Sequence, residues 1–404
     1  MSYFYAPINI YMRKLILIIA VLFTIQSNGQ IRILFDATKA ESAGNADWVI
    51  DADLHNLGYS TGPAVVGGGT ESNPQRIPTP AQSGITAATA ETYWEGALSF
   101  WGIDCVRSGY TVETLPYNGS ITYGNAANAQ DLTNYRVFIV CEPNIIFTAA
   151  EKTAILNFVN HGGGLFMISD HNVSDRNNDG FDSPHIWNDM MQTNSTGNTN
   201  PFGIIFDLAN FSQTTSNIAT VPANDSIIHG PMGDVTMLQW NNGTSMTLST
   251  TANPSAKAFF YETGVSNTGS TSVMFATSRY GYGKVAAIGD SSPCDDGTGD
   301  PGDALFPGYN GDVTPNHRHI LMNSTIWLAS GPIIWIGLTS TDWTTGSNWL
   351  GGVPPTLTDD ALIPPGTPFS PVVLNGKVGN CKDLMVISGA VVNIQATGNL
   401  NVSH

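Results

Sequence analysis

The densest concentration of potential chemistry in the chain lies between residues 162 and 189, GGGLFMISDHNVSDRNNDGFDSPHIWND. Asp170 and His171 stand together directly after a short apolar run at 165–168. An Asp–His pair can orient a water or a metal, or serve as general acid and base. Asp175, Asn177 and Asp179 then alternate along the chain, followed by Gly180 and Asp182. That spacing has the oxygen ligands and sharp-turn glycine of a calcium loop, because a hard cation of high coordination number takes several carboxylates at short range. The bidentate Glu expected at the twelfth position is Ile186 instead, so Asp182 could complete the shell only through a different wrap. In the simpler alternative these Asp and Asn side chains merely stabilise turns.

Several strands must deliver these groups. The 165–168 run reads as a buried strand, and groups just past the carboxyl end of such a strand line the ligand crevice of an α/β sheet. The segment 31–37 is a second strand, ending in Asp36, and 136–141 a third, followed by Glu142. Residues 273–277 and 284–289 are two more, joined as a hairpin, and the latter runs into Asp290. Thr148 and Glu151 form a capping box for a helix that stops at His161-Gly162. Strand, helix, strand at this spacing predicts a βαβ unit and a parallel sheet with helices on both faces. Asp36, Glu142, Asp170 and Asp290 would then gather at adjacent strand ends. Asp36, Asp170 and Asp290 within about 4–6 Å of one another would need a cation or shared protons.

Helices are also expected over 86–101, after Asn45 with Trp48, Ile50 and Leu54 facing inward, and from Thr314-Pro315 onward. Residues 58–84 read as a long loop. Asp295, Asp296, Asp300 and Asp303 form a second acidic loop, which could hold ligands or simply be solvated. His317 and His319 are two apart on a helix, so at most one reaches the crevice. Ser291 and Ser292 lack the GxSxG frame of a serine nucleophile.

The formal charge of −17, with only 15 Lys+Arg, disfavours nucleic acid as a partner. Cys105, Cys141, Cys294 and Cys381 form no CxxC pair, and a chain of this length does not require disulfides. Met12-Arg13-Lys14, the apolar run 15–23 and the polar residues 24–30 have the order of a secretory signal peptide, so residues 1–30 are set aside and export is expected. No later segment is long and apolar enough to span a bilayer. After Pro332 the texture changes to short β-type runs recurring about every ten residues, the pattern of a solenoid that continues beyond residue 404.

The strand ending in Asp36, NADW at 45–48, EPN at 142–144, FTAAEKTAILNFVNHGGG at 147–164, the strand before Asp170-His171, PFGIIF at 201–206 and GDSS at 289–292 together resemble the class I glutamine-amidotransferase-like superfamily. The similarity is to its branch of gliding-motility ABC-transporter auxiliary proteins and an intraflagellar transport N-terminal domain. It implies a flavodoxin-like α/β domain over 31–331. Amidotransferases carry a Cys nucleophile where this chain has Asp170-His171, so glutaminase chemistry is not implied. Residues 332–404, with Trp343, Trp349 and GGVPP, are similar to β-solenoid modules of exported Bacteroidetes proteins, often followed by a type IX sorting domain.

The function expected from this reading is a secreted, divalent-metal-dependent hydrolase of an extracellular polysaccharide or ester. Asp36, Glu142, Asp170, His171 and Asp290 would line its site, and Asp175, Asn177, Asp179 and Asp182 would hold calcium or another divalent cation. The alternative is a non-catalytic, calcium-stabilised carbohydrate-binding or adhesion module.

Overall fold

The computed structural model describes residues 31–43, 46–51, 82–298, 306–311 and 316–403. The expected signal segment, Asn45, Leu54, most of the 58–84 loop, Asp300, Asp303, Thr314 and Pro315 lie outside the described residues.

Side-chain alternation builds the central layer. In β1 (Arg32–Asp36), Ile33 and Phe35 join the apolar cluster on one face while Leu34 joins the other, the period-two geometry of a strand. β2 is Thr111–Leu115, β3 Val137–Cys141 and β4 Gly164–Ile168. Every residue of β3 and β4 is buried, as strands covered on both faces require. Then follow β5 (Ile204–Phe206), β6 (Met246–Leu248), β7 (Lys257–Tyr261), β8 (Val273–Tyr280) and β9 (Gly283–Ile288). These nine strands form one sheet in the order β2-β1-β3-β4-β9-β8-β6-β5, with β7 also paired to β8. The first five run parallel and the rest are antiparallel. The β8–β9 hairpin forms as expected. It turns at Gly281 with φ +58°, and a Cβ there would lie 2.3 Å from the Asn160 carbonyl oxygen.

Helix α1 (Ser99–Arg107) and helix α4 (His317–Ala329) cover one face, through Trp101, Leu321 and Met322. Helices α2 (Ala149–Asn160) and α3 (Ser183–Gln192) cover the other, through Ile155, Phe158, Trp187 and Met190. The capping box of α2 is present: Glu151 N–H donates to Thr148 Oγ1 at 3.3 Å, and Thr148 N–H donates to the Glu151 carboxylate at 2.8 Å.

Two expected helices are not found where the spacing placed them. Over 86–101 there is only a 3-10 turn, Glu91–Tyr93, and the helix starts at Ser99. Gly96 is pressed against Val49, where a Cβ would sit 2.0 Å from the carbonyl oxygen, and Leu98 N–H donates to that same oxygen at 2.9 Å. This pairing takes the amide that a continuous helix would use. Near 45, Ala46–Asp47 instead pairs antiparallel with Ser42–Ala43, and Trp48 N–H donates to Glu41 O at 3.0 Å.

In the carboxy-terminal part, Ala361–Ile363, Val372–Val373 and Val378–Cys381 pair in parallel with Leu384–Val386, Asn393–Ile394 and Asn399–Val402. The chain thus makes one circuit of three short strands and lays the next circuit on it. Trp335, Trp343 and Trp349 fill its core, with ring centroids 4.8–5.0 Å apart for the two Trp349 pairs. This part packs on the amino edge of the parallel strands, where Arg136 donates to Pro332 O at 3.0 Å and Gly351 N–H to Thr133 O at 2.8 Å. Ile334, Ile336, Leu350 and Leu362 share the apolar cluster of α2.

Candidate functional site

At the opposite edge, the sheet brings four carboxyl groups to the ends of four adjacent parallel strands. Asp36 closes β1, Glu142 follows β3, Asp170 follows β4 by two residues, and Asp290 follows β9 by two. All four are buried, Glu142 and Asp290 completely. A cavity of about 190 Å3 opens beside them, lined by Trp48, Asp170, His171, Arg176, Asn241 and Ser291 among others.

Burying like charges together requires compensation. Here it comes from Arg176, in the middle of the acidic loop. Its Nη2 lies 3.0 Å from Asp170 Oδ2 and 3.1 Å from Glu142 Oε1, and its Nε donates to the same Glu142 oxygen at 3.1 Å. The second Glu142 oxygen accepts from the Trp48 indole N–H and the Ser291 hydroxyl, each at 2.7 Å. Asp290 accepts the amides of Asn241 at 2.6 Å and Ser292 at 2.8 Å. Protons supply the rest. Burial, and then the charges of Glu142 and Asp290, hold the Asp170 carboxyl well above the usual carboxylate range, and it is hydrogen-bonded to Glu142. Burial likewise pushes Asp290 up to about 7 against the effect of its amide donors.

The structure does not bring Asp36 into this group. Its carboxyl is hydrogen-bonded to that of Glu41, a wholly buried residue, and like Glu142 and Asp290 it is not among the residues that line the cavity. Two carboxyls in hydrogen-bond contact need a proton between them. Burial raises Asp36 to about 6, while burial and the Asp36 charge raise Glu41 further. Asn144 donates to the carbonyls of Ala40, Ser42 and Glu142, tying this segment to the β3 end.

His171 stands at the cavity wall, with Nε2 3.5 Å from Asp170 Oδ2. Its Nδ1 is 2.6 Å from the Asn172 carbonyl oxygen, which can only accept, and 3.0 Å from the Asn210 side-chain amide nitrogen, which can only donate, so these two neighbours favour opposite tautomers. Its Nε2 is the ring nitrogen that faces Asp170. Of the six described non-glycine residues with positive φ, five lie around this edge: Ala40, Glu142, Val173, Asn178 and Asn242. Such backbone costs about 1 kcal/mol or more at each residue and clusters at functional sites.

The loop from 175 to 182 folds as a set of turns. Asp175 accepts the amides of Asp179 and Gly180, Asp179 accepts that of Phe181, and Asn177 accepts that of Asp179. Asp182 caps α3, accepting from Val173 N–H and from both the amide and Nδ1 of His185. Among the described residues no group of three or more His, Cys, Asp and Glu is placed to hold a metal ion. Because these oxygens already accept from the loop's own amides, added calcium is expected to leave the thermal midpoint unchanged. A saturable rise with millimolar calcium would assign the loop to the ion.

His317 and His319 both stay outside the cavity. His317 is buried in α4, where its Nε2 accepts the Gln239 amide and burial lowers it to about 4; His319 Nδ1 bonds the Asp234 carbonyl. Asp295 lines the cavity, whereas Asp296 accepts the Phe100 amide at 2.6 Å and so caps α1. Arg176, Glu41, Asn241 and the Trp48 indole escaped the sequence reading. Arg176 had a legible signal, being the only Lys or Arg in the 162–189 run. The other three depend on how distant loops meet.

No family model matches the chain. No curated protein matches it either. Among solved structures it is similar to the mmIFT52 N-terminal domain, at 15% identity with a TM-score of 0.42, covering 74% of this chain and 98% of that one. It is also similar to the cytoplasmic protein STM3548 from Salmonella typhimurium, at 11% identity with a TM-score of 0.35, covering 56% of this chain and 85% of that one.

Proposed function

We propose that the chain is an exported hydrolase of an ester or polysaccharide substrate, working in the cavity at the strand ends. The observation that carries this reading is His171 Nε2, 3.5 Å from the buried Asp170, whose carboxyl is held well above the usual range, on one cavity wall. His171 takes a proton from the attacking water, and Asp170 gives one to the leaving oxygen. Arg176 is a fixed cation beside the charge that develops, in the place that a divalent metal would otherwise fill. Asn241 and Ser291 supply polar contacts for substrate hydroxyls.

The strand order β2-β1-β3-β4-β9 supports a flavodoxin-like, amidotransferase-like domain over 31–331. The cavity lies past the carboxyl ends of β4 and β9. The stacked circuits after residue 332 support a β-solenoid module, and the basic-then-apolar order of residues 12–23 supports export.

The test is turnover of chromogenic esters and glycosides by the wild-type chain. His171→Ala and Asp170→Asn are each expected to lower kcat/KM by about 10²–10⁴-fold while leaving the fold intact. Equal rates in all three proteins would remove the acid–base roles. A second reading, a carbohydrate-binding module, draws on the complete enclosure of Glu142 and Asp290, whose oxygens are already bonded within the protein. Saturable glycan binding without turnover would select it.

A further inference from the structure

A second cavity, of about 240 Å3, lies at the other edge of the sheet, beneath the carboxy-terminal module. Arg136, Arg279, Lys284, Tyr282 and Ser330 help to line it. Its three cations come from separate places. Arg136 precedes β3, Arg279 lies near the end of β8, and Lys284 lies near the start of β9. Among the described residues none of the three has a carboxylate within ion-pair distance, whereas every other described lysine and arginine except Lys377 does. In a chain with a formal charge of −17 this concentration of positive charge, offset at Arg136 by the charge of Asp359, is unexpected.

Part of it has a structural explanation. Lys284 Nζ donates to Trp327 O at 2.6 Å, Ser330 O at 2.8 Å and Ser330 Oγ at 2.7 Å, and Arg136 donates to Pro332 O at 3.0 Å. Cations at the carboxyl end of α4 satisfy its last carbonyls and suit its dipole. Arg279 is not accounted for in this way. Its backbone is pinned by Ser255 and Asn253, its guanidinium stacks 5.7 Å from the Trp327 ring, and no acceptor for that guanidinium is found among the described residues. Burial, and then the charges of Arg279 and Arg136, lower the Lys284 amine to about 7.

We propose that this cavity binds a small oxyanion, a phosphate, sulfate or carboxylate, either free or carried on a larger molecule. The planar fork of Arg279 grips two of its oxygens, and Arg136 and Lys284 supply the field behind. The site is separate from the strand-end cavity and does not depend on the hydrolase reading.

The test is thermal unfolding of the whole chain in rising inorganic phosphate, sulfate or acetate, with chloride holding the ionic strength constant. A glucose sulfate serves as the probe for an oxyanion on a larger molecule. At least one probe is expected to raise the midpoint in proportion to the logarithm of its concentration. Arg279→Gln, a change at an exposed side chain, is expected to weaken that probe's apparent affinity about tenfold or more, while Lys377→Gln behaves as wild type. The proposal is overturned if no probe exceeds chloride, or if Arg279→Gln responds as wild type does.

Discussion

The protein is expected to be several kcal/mol more stable at about pH 5 than at about pH 8, the reverse of the usual behaviour of carboxylates in ion pairs. Asp36, Asp290 and Asp296 are raised by burial from 3.8 to about 6, about 7 and about 7, and burial raises Asp170 and Glu41 well above their ordinary values. For each, the folded chain holds a proton that the unfolded chain has lost. The stabilisation is therefore complete below about pH 4 and disappears as pH rises through the folded value. A tenfold difference in proton affinity between the folded and unfolded chain is worth about 1.4 kcal/mol. Two groups act in the opposite sense. His317, lowered to about 4, destabilises the fold as pH falls below 6.5, and Lys284, lowered to about 7, favours folding as pH rises from there towards 10.5. Over the window from pH 5 to 8 the five carboxyls outweigh these two. Urea midpoints measured at both pH values check the sign. Glu41→Gln, which keeps a permanent donor to Asp36, should flatten the profile, and an unaltered chain that is equally stable or more stable at pH 8 would refute the assignment.

Arg176→Met should cost on the order of 3 kcal/mol at pH 8, and much less at pH 5. The side chain of Arg176 is only 20% exposed and bridges Glu142, which is fully buried, and Asp170. Methionine preserves the packing of the stem but leaves the buried carboxyl groups without their cation, and removing one partner of a buried ion pair is more costly than never having built it. Protonation of Asp170, whose carboxyl is held well above its ordinary value, removes part of the charge that needs the cation at the lower pH, and the deficit shrinks. A double-mutant cycle with Glu142→Gln separates this effect from packing, since the coupling should fall on the charge pair. A loss below about 1 kcal/mol at pH 8, or one independent of pH, would mean that Arg176 is an ordinary surface arginine.

Runs such as 136–141 and 165–168 were legible because strands buried on both faces are continuously apolar. The carboxylates that follow them were legible for the same reason. The Thr148–Glu151 capping box is a local signal and could be read directly. The helix over 86–101 failed because the Val49 carbonyl, far away in sequence, takes the Leu98 amide. The grouping of Asp36 with Asp170 failed because Glu41, five residues further along the chain, reaches back to it. Spacing alone also made the 175–182 loop resemble a metal shell. The amides it wraps, and the arginine inside it, became visible only once the backbone was placed.

The central claim is that burial holds the Asp170 carboxyl well above the usual carboxylate range beside His171. Carboxyl carbon NMR of the chain labelled at aspartate Cγ, with Asp170→Asn identifying the resonance, measures this directly. The Asp170 signal should titrate well above the usual carboxylate range. A titration midpoint near 3.9, the value of an unperturbed aspartate, would contradict the acid–base site.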